Sequence, residues 1–139
     1  MLFLELGSEF KKNIVHFFVN AKRNTIFVIQ NGYDMDIVFE KDYLQEIYRT
    51  GKTTEKKYRF QPEIIRKYIR VIDLMIDQPD ISALVKYNSL NYEKLKGDKI
   101  GLSSVRINDQ YRIEFEEKTV GEQKIATICN IIELSNHYK

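Results

Sequence analysis

Apolar positions recur along the chain with two different periods, and the change of period divides it. Tyr43, Leu44, Ile47 and Tyr48 return at helical spacing until Gly51, which predicts a short helix with a glycine stop. Pro62 suits the first turn of a second helix, whose apolar stripe runs Ile64, Ile65, Tyr68, Ile69, Ile72, Met75 and Ile76 before Pro79 prevents continuation. That stripe is a core face, and Arg66, Lys67 and Arg70 fall mainly on the wetter side. KTTEKKYRF between the helices is a polar, basic connection, and DIVFE ahead of them, just after Met35, reads as a short strand.

Beyond residue 90 the period is two. NYEKL, LSSVRI, YRIEFEE and KIATICNIIEL are predicted strands, separated by KGDKIG, NDQ and KTVGEQ, which have the composition of turns. Both faces of KIATICNIIEL are largely apolar, so a central, covered strand is expected there. The order strand, helix, helix, four strands predicts an α+β domain with two N-terminal helices packed on one face of a mainly antiparallel sheet of about four to five strands. Residues 1–34 mix apolar clusters with basic pairs and end in the turn signal Asn31-Gly32. They read either as an extra helix and strand or as a stretch translated ahead of a start at Met35. The expected organisation is therefore an extension, 1–34, and a small domain, 35–139.

Composition narrows the function classes only a little. With 139 residues, 43% hydrophobic and 30% charged, the chain is one ordinary globular domain long. A net charge of +2 gives little overall pull toward nucleic acid or an anionic membrane, so any basic function must come from local arrangement. The single cysteine, Cys129, excludes an intramolecular disulfide, and two histidines offer no metal-ligand spacing. No run is long and apolar enough for a membrane span, and MLFLELGSEFKK lacks the layout of a signal peptide. A cytoplasmic setting, without metal or cofactor, is the expectation.

The candidate chemistry lies in SVRINDQYRIEFEE. A two-residue turn at Asn108-Asp109 would mix apolar and polar positions on each face. A three-residue connection, Asn108-Asp109-Gln110, pairs Ile107 with Tyr111 and Val105 with Ile113 and gathers the apolar side chains on one face. The other face then carries Ser104, Arg106, Arg112 and Glu114, with the two arginines directly opposed. Like charges across a strand pair cost from a few tenths to about 1 kcal/mol. An anion between them reverses the sign, and guanidinium groups grip phosphate through paired donors at any physiological pH.

A bland reading stands beside this one: Glu114, across from Ser104 and diagonal to Arg106, neutralises the patch and leaves a solvated charge ladder. Lys94, Lys96 and Lys99 in EKLKGDK fit a solvated loop equally well. His137, just after the last apolar strand, titrates near neutrality and suits proton exchange with a reacting hydroxyl, although a lone histidine near a terminus is commonly incidental. His16 sits among apolar residues in the extension.

The run NYEKLKGDKIGLSSVRINDQYRIEF followed by ICNIIELSNHYK resembles the RelE/ParE superfamily of bacterial toxins, and within it the HigB-like branch of type II toxin-antitoxin systems. The resemblance covers about residues 35–139. It implies a RelE-like fold and a toxin that enters the ribosomal A site and cuts messenger RNA there. It also implies a cognate antitoxin, usually a HigA-like helix-turn-helix protein, through which operator DNA is bound indirectly. The reaction so implied is metal-independent attack of a ribose 2′-hydroxyl on the adjacent phosphorus, with release of a 5′-hydroxyl. By position, Lys96, Asn108, Arg112 and His137 match the family's lysine, turn asparagine, second-arm arginine and terminal histidine, and Arg106 sits at a site often basic in relatives. Asn91, Lys94, Lys99 and Tyr138 complete the expected RNA-binding surface.

Two departures from the family pattern bear on the chemistry. Some HigB proteins carry a histidine where this chain has Asn91, and end in Asp-Tyr-His where it has Ser135, Asn136 and His137. Asparagine cannot act as a base, so a reaction needing two titrating groups must recruit another, such as Tyr138 or Lys96. ParE-like members of the superfamily poison DNA gyrase and cleave no RNA. The terminal histidine and the Asn108 turn favour the nuclease; a gyrase inhibitor and an inactive antitoxin-binding relative are the alternatives.

Overall fold

A parallel strand pair lies in the middle of the sheet and joins the start of the domain to its end. The computed structural model describes the backbone of residues 3–6, 14–18, 26–30, 35–121 and 123–133, and the side chains of 35–119, 121 and 124–133. In chain order its elements are β1 (Phe3–Leu6), β2 (Ile14–Phe18), β3 (Ile26–Gln30), β4 (Asp36–Phe39), α1 (Asp42–Thr50), α2 (Pro62–Ile76), β5 (Glu93–Lys94), β6 (Leu102–Arg106), β7 (Tyr111–Val120) and β8 (Gln123–Glu133). The sheet runs β1-β2-β3-β4-β8-β7-β6-β5, with β4 and β8 parallel and the other neighbours antiparallel. Within residues 35–133 this is a mixed five-stranded sheet, β4 to β8, carrying helices as an α+β domain. The first strand precedes both helices, as the order of apolar periods predicted.

Helix α1 starts with Asp42 in its first turn and has Arg49 in its last, each charge matched to the helix dipole. Gly51 ends it with φ 76°, a left-handed conformation that costs glycine little, and donates its N–H to the Ile47 carbonyl at 2.8 Å. Pro62 occupies the first turn of α2, where no intrahelical N–H bond is lost. The helices bury Tyr43, Leu44 and Ile47 from α1, and Ile64, Tyr68, Val71, Ile72, Met75 and Ile76 from α2. These meet Ile37, Phe39, Val105, Ile113, Phe115 and Ile128 of the sheet in one core. Each such side chain contributes about 1.5–3 kcal/mol relative to leaving it exposed. The Tyr68 hydroxyl, fully buried, donates to the Leu44 carbonyl at 2.9 Å and so ties α2 to α1. Arg66 and Arg70 are exposed and Lys67 half-buried, as the amphipathic pattern predicted. Among the described residues no helix is long and apolar enough to cross a membrane.

Three features depart from the sequence expectation. In the extension, where an extra helix and strand was one expectation, the described parts are three strands, β1 to β3, an antiparallel meander that continues the sheet beyond β4. NYEKL contributes only the two-residue β5, because the chain leaves the sheet in a 3-10 turn at Gly97–Lys99. Finally, β8 carries a bulge. Glu114 pairs with Asn130 and Phe115 with Ile128, so Cys129 has no partner across the ladder. The extra residue turns Ile128 and Ile131 toward the same core, which explains part of the two-faced apolar pattern that suggested full cover on both sides. β8 is central, but Thr127, Asn130 and Ile132 on its second face are only half-buried.

Candidate functional site

The β6–β7 hairpin has the three-residue connection that its apolar alternation demands. Ile107 N–H donates to the Tyr111 carbonyl at 2.9 Å, Val105 lies opposite Ile113, and Arg106 lies opposite Arg112. Asn108 makes the turn: its Oδ1 accepts the backbone N–H groups of Gln110 and Tyr111, each at 2.8 Å. This work accounts for asparagine at the position without any ligand. Val105 and Ile113 are fully buried toward the helices. The opposite, outer face presents Ser104, Arg106, Arg112 and Glu114.

Although the arginines share a register position, their guanidinium groups have different partners. Arg112, only 8% exposed, pairs with the Glu93 carboxylate and donates to Ser104 Oγ at 3.1 Å. It therefore leans along β7 toward β5. Arg106 points to the hairpin tip, where Asp109 stands 3.8 Å away and is itself 99% exposed. An ion pair that long and that wet is worth little, so the Arg106 charge is the more available of the two. Glu114, 2% exposed on its side chain, accepts from Lys99 at 2.7 Å rather than neutralising Arg106. The bland charge ladder is thus half right: Arg112 and Lys99 each have a carboxylate, and Arg106 has a weak one.

The other expected residues sit around this row. Lys94 extends from β5 and is exposed, as are Lys96 at the entry to the 3-10 turn and Asn91, which adopts a left-handed backbone with φ 44°. Left-handed backbone is tolerated by asparagine better than by most residues, which gives Asn91 a conformational role of its own. His137 and Tyr138, the expected proton-transfer group and its neighbour, lie outside the described residues, so the structure brings neither to the arginines. His16 is likewise outside the residues whose side chains are described.

Residue reasoning missed Glu93, although it had already placed Ser104 on the arginine face. Glu93 pairs with Ser104 across β5 and β6, Ser104 with Glu114, and Glu114 with Asn130 across β8, so one transverse row holds all four. Only the β5–β6 register reveals the first member, and the β8 bulge hides the last. Behind this row, on the helix side, Ser103 and Tyr92 both donate to Glu117, Tyr92 at 2.6 Å. Burial, reinforced by the Glu117 bond, pushes the Tyr92 hydroxyl up to about 12. Burial also pushes the Cys129 thiol up to about 11, with Glu40 adding to the effect, so this cysteine is a protonated, unreactive group at neutral pH.

Comparison with known proteins gives one finding. The family model described as a RelE-like toxin of the type II toxin-antitoxin system HigB matches residues 37–127. That span runs from β4 into β8 and contains Glu93, Ser104 and Glu114 of the row, while Asn130 lies beyond it. Neither curated proteins nor solved structures returned a match.

Proposed function

Because the chain belongs to the RelE-like toxin family of type II toxin-antitoxin system HigB, and is thus a toxin whose activity an antitoxin holds in check, we propose that it stops translation by cutting messenger RNA on the ribosome. The observation that carries this reading is the outer face of the hairpin, where Arg106 and Arg112 stand opposed, Lys99 pairs with Glu114 on the same face, and Lys96 is exposed in the connection between β5 and β6.

Cleavage begins with a 2′-hydroxyl, which must lose its proton as its oxygen bonds to the adjacent phosphorus. The bond from phosphorus to the 5′ oxygen then breaks, and that oxygen takes up a proton. Negative charge builds on the phosphoryl oxygens between these events, and fixed cations stabilise it most where water is scarce. Arg106 is the cation free to meet the phosphate. Arg112 serves from its pair with Glu93, and Lys96 adds to the field.

Glu93 is half-exposed and held in orientation by Arg112, so its carboxylate is assigned to accept the 2′-hydroxyl proton. This fills the place left by Asn91, which cannot titrate. His137 is assigned to return a proton to the 5′ oxygen, the role that suits an imidazole near neutral pH. The antitoxin is proposed to be a HigA-like helix-turn-helix protein that carries the complex to operator DNA, and the setting to be the cytoplasm.

Primer extension on a reporter message after induction tests this reading, with translation active and with it blocked. Cuts that require translation and disappear in Arg106→Ala and His137→Ala are the expected result. Intact messages together with collapsed DNA supercoiling would replace the nuclease with gyrase poisoning.

A further inference from the structure

The transverse row on the outer face does not end at Asn130. Glu40 donates its N–H to the Ile128 carbonyl at 2.9 Å, so the chain beyond β4 keeps following β8, and Lys41 comes to lie beside Asn130. There the Lys41 ammonium donates to Asn130 Oδ1. The full row therefore reads Glu93, Ser104, Glu114, Asn130, Lys41, one member from each of β5, β6, β7, β8 and the end of β4.

Charge along this row is unevenly balanced. Glu93 is matched by Arg112 and Glu114 by Lys99. Lys41 has a neutral amide instead, and among the described residues it makes no ion pair. Its sequence neighbour Glu40 is turned to the Cys129 thiol, and Asp42 begins α1 with its carboxylate exposed. A half-buried ammonium oriented by an amide keeps its whole charge for a ligand, and its orientation has already cost part of the side-chain entropy. Arg106, with its long and solvated pair to Asp109, is the second such point.

We propose that Lys41 is an RNA-backbone contact and that the single strand crosses β6, β7 and β8 transversely, from Arg106 at the hairpin tip to Lys41 beyond β4. The two cations are three inter-strand spacings apart, about 14 Å across the sheet, so they meet different phosphates of one strand. Between them Glu114 is buried and paired with Lys99 and Asn130 is half-buried, so the row holds the two cations at a fixed separation. The assignment rests on the nuclease reading for the identity of the ligand. It adds a direction for the strand and a contact outside the hairpin.

Binding of a short fluorescently labelled single-stranded RNA to the full chain, followed by anisotropy over a salt series, tests the path. Lys41→Gln is expected to weaken binding and to reduce the slope of log K against log salt by about 0.7, the value of one phosphate contact on a single strand. Lys41→Arg is expected to restore the slope. Lys67→Gln, on the opposite side of the sheet in α2, serves as the control and leaves it unchanged. A slope reduced by Arg106→Ala but not by Lys41→Gln would overturn the transverse path while leaving the nuclease reading intact. Loss of folded protein is separated from loss of contact by thermal melting of each variant, and Lys41→Arg decides the case if Lys41→Gln melts early. RNA binding unchanged in both Lys41→Gln and Arg106→Ala would remove the path and the proposed role of the hairpin face together.

Discussion

The two faces of one hairpin obey different physics. Toward the helices, Val105, Ile113 and Phe115 are fully buried and chemically uniform, and their positions follow from the single requirement that apolar surface leave water. Away from the helices, Ser104, Arg112 and Glu114 are nearly as buried, yet each is kept there by a named partner. The inner face tolerates any arrangement that fills space. The outer face tolerates only arrangements in which every removed charge finds another, because burying an unmatched charge costs several kcal/mol. The inner face thus specifies the fold, while the outer face holds charges at fixed positions that the fold alone does not require.

The sharpest way to break this contrast is to hollow out the inner side. Phe115→Ala, at a site with no exposure, is expected to cost about 3–5 kcal/mol, read as a lower urea midpoint. On the outer side, Arg112→Ala should cost less, about 1–2 kcal/mol, because it strands Ser104 and a Glu93 that water still reaches. The same variant should abolish cleavage, and a urea melt beside a cleavage assay separates the two effects.

The β8 bulge gives a third test. The Cys129 thiol is raised from 9.0 to about 11, so the folded state holds its proton more tightly than the unfolded chain does. Its contribution to stability is complete below pH 9 and is lost as pH climbs toward 11. Cys129→Ala should flatten that part of the stability profile without altering its neutral region. The smallest effect belongs to the far side of α2, where Lys67→Ala removes a pair with Glu63 at 3.1 Å. About 0.2–0.5 kcal/mol is expected for such an i,i+4 contact, visible only in careful thermal melts.

What was legible in the chain follows the same division. The inner face could be read because period two leaves one register that unites Val105, Ile107, Tyr111 and Ile113, and because Gly51 and Pro62 punctuate the helices locally. Arg106 opposite Arg112 came with that register at no further cost. The pairing of Arg112 with Glu93 did not, since it depends on a third strand of only two residues. The bulge at Cys129 was also invisible, as nothing local distinguishes an inserted residue from a paired one, and with it went Asn130 and Lys41. In the extension, apolar clusters beside basic pairs fitted a helix as well as a strand, and pairing to β4, a tertiary contact, made strands of them.

The most direct test of the outer face as the working surface is the rate of message cleavage in a reconstituted translation reaction by Arg106→Ala. That residue stands outside the apolar core and has only a solvated partner, so its removal should leave the melting temperature close to that of the parent chain. A variant that melts normally and no longer cuts is the result predicted here. Cleavage at the parental rate by a normally folded Arg106→Ala protein would contradict the account.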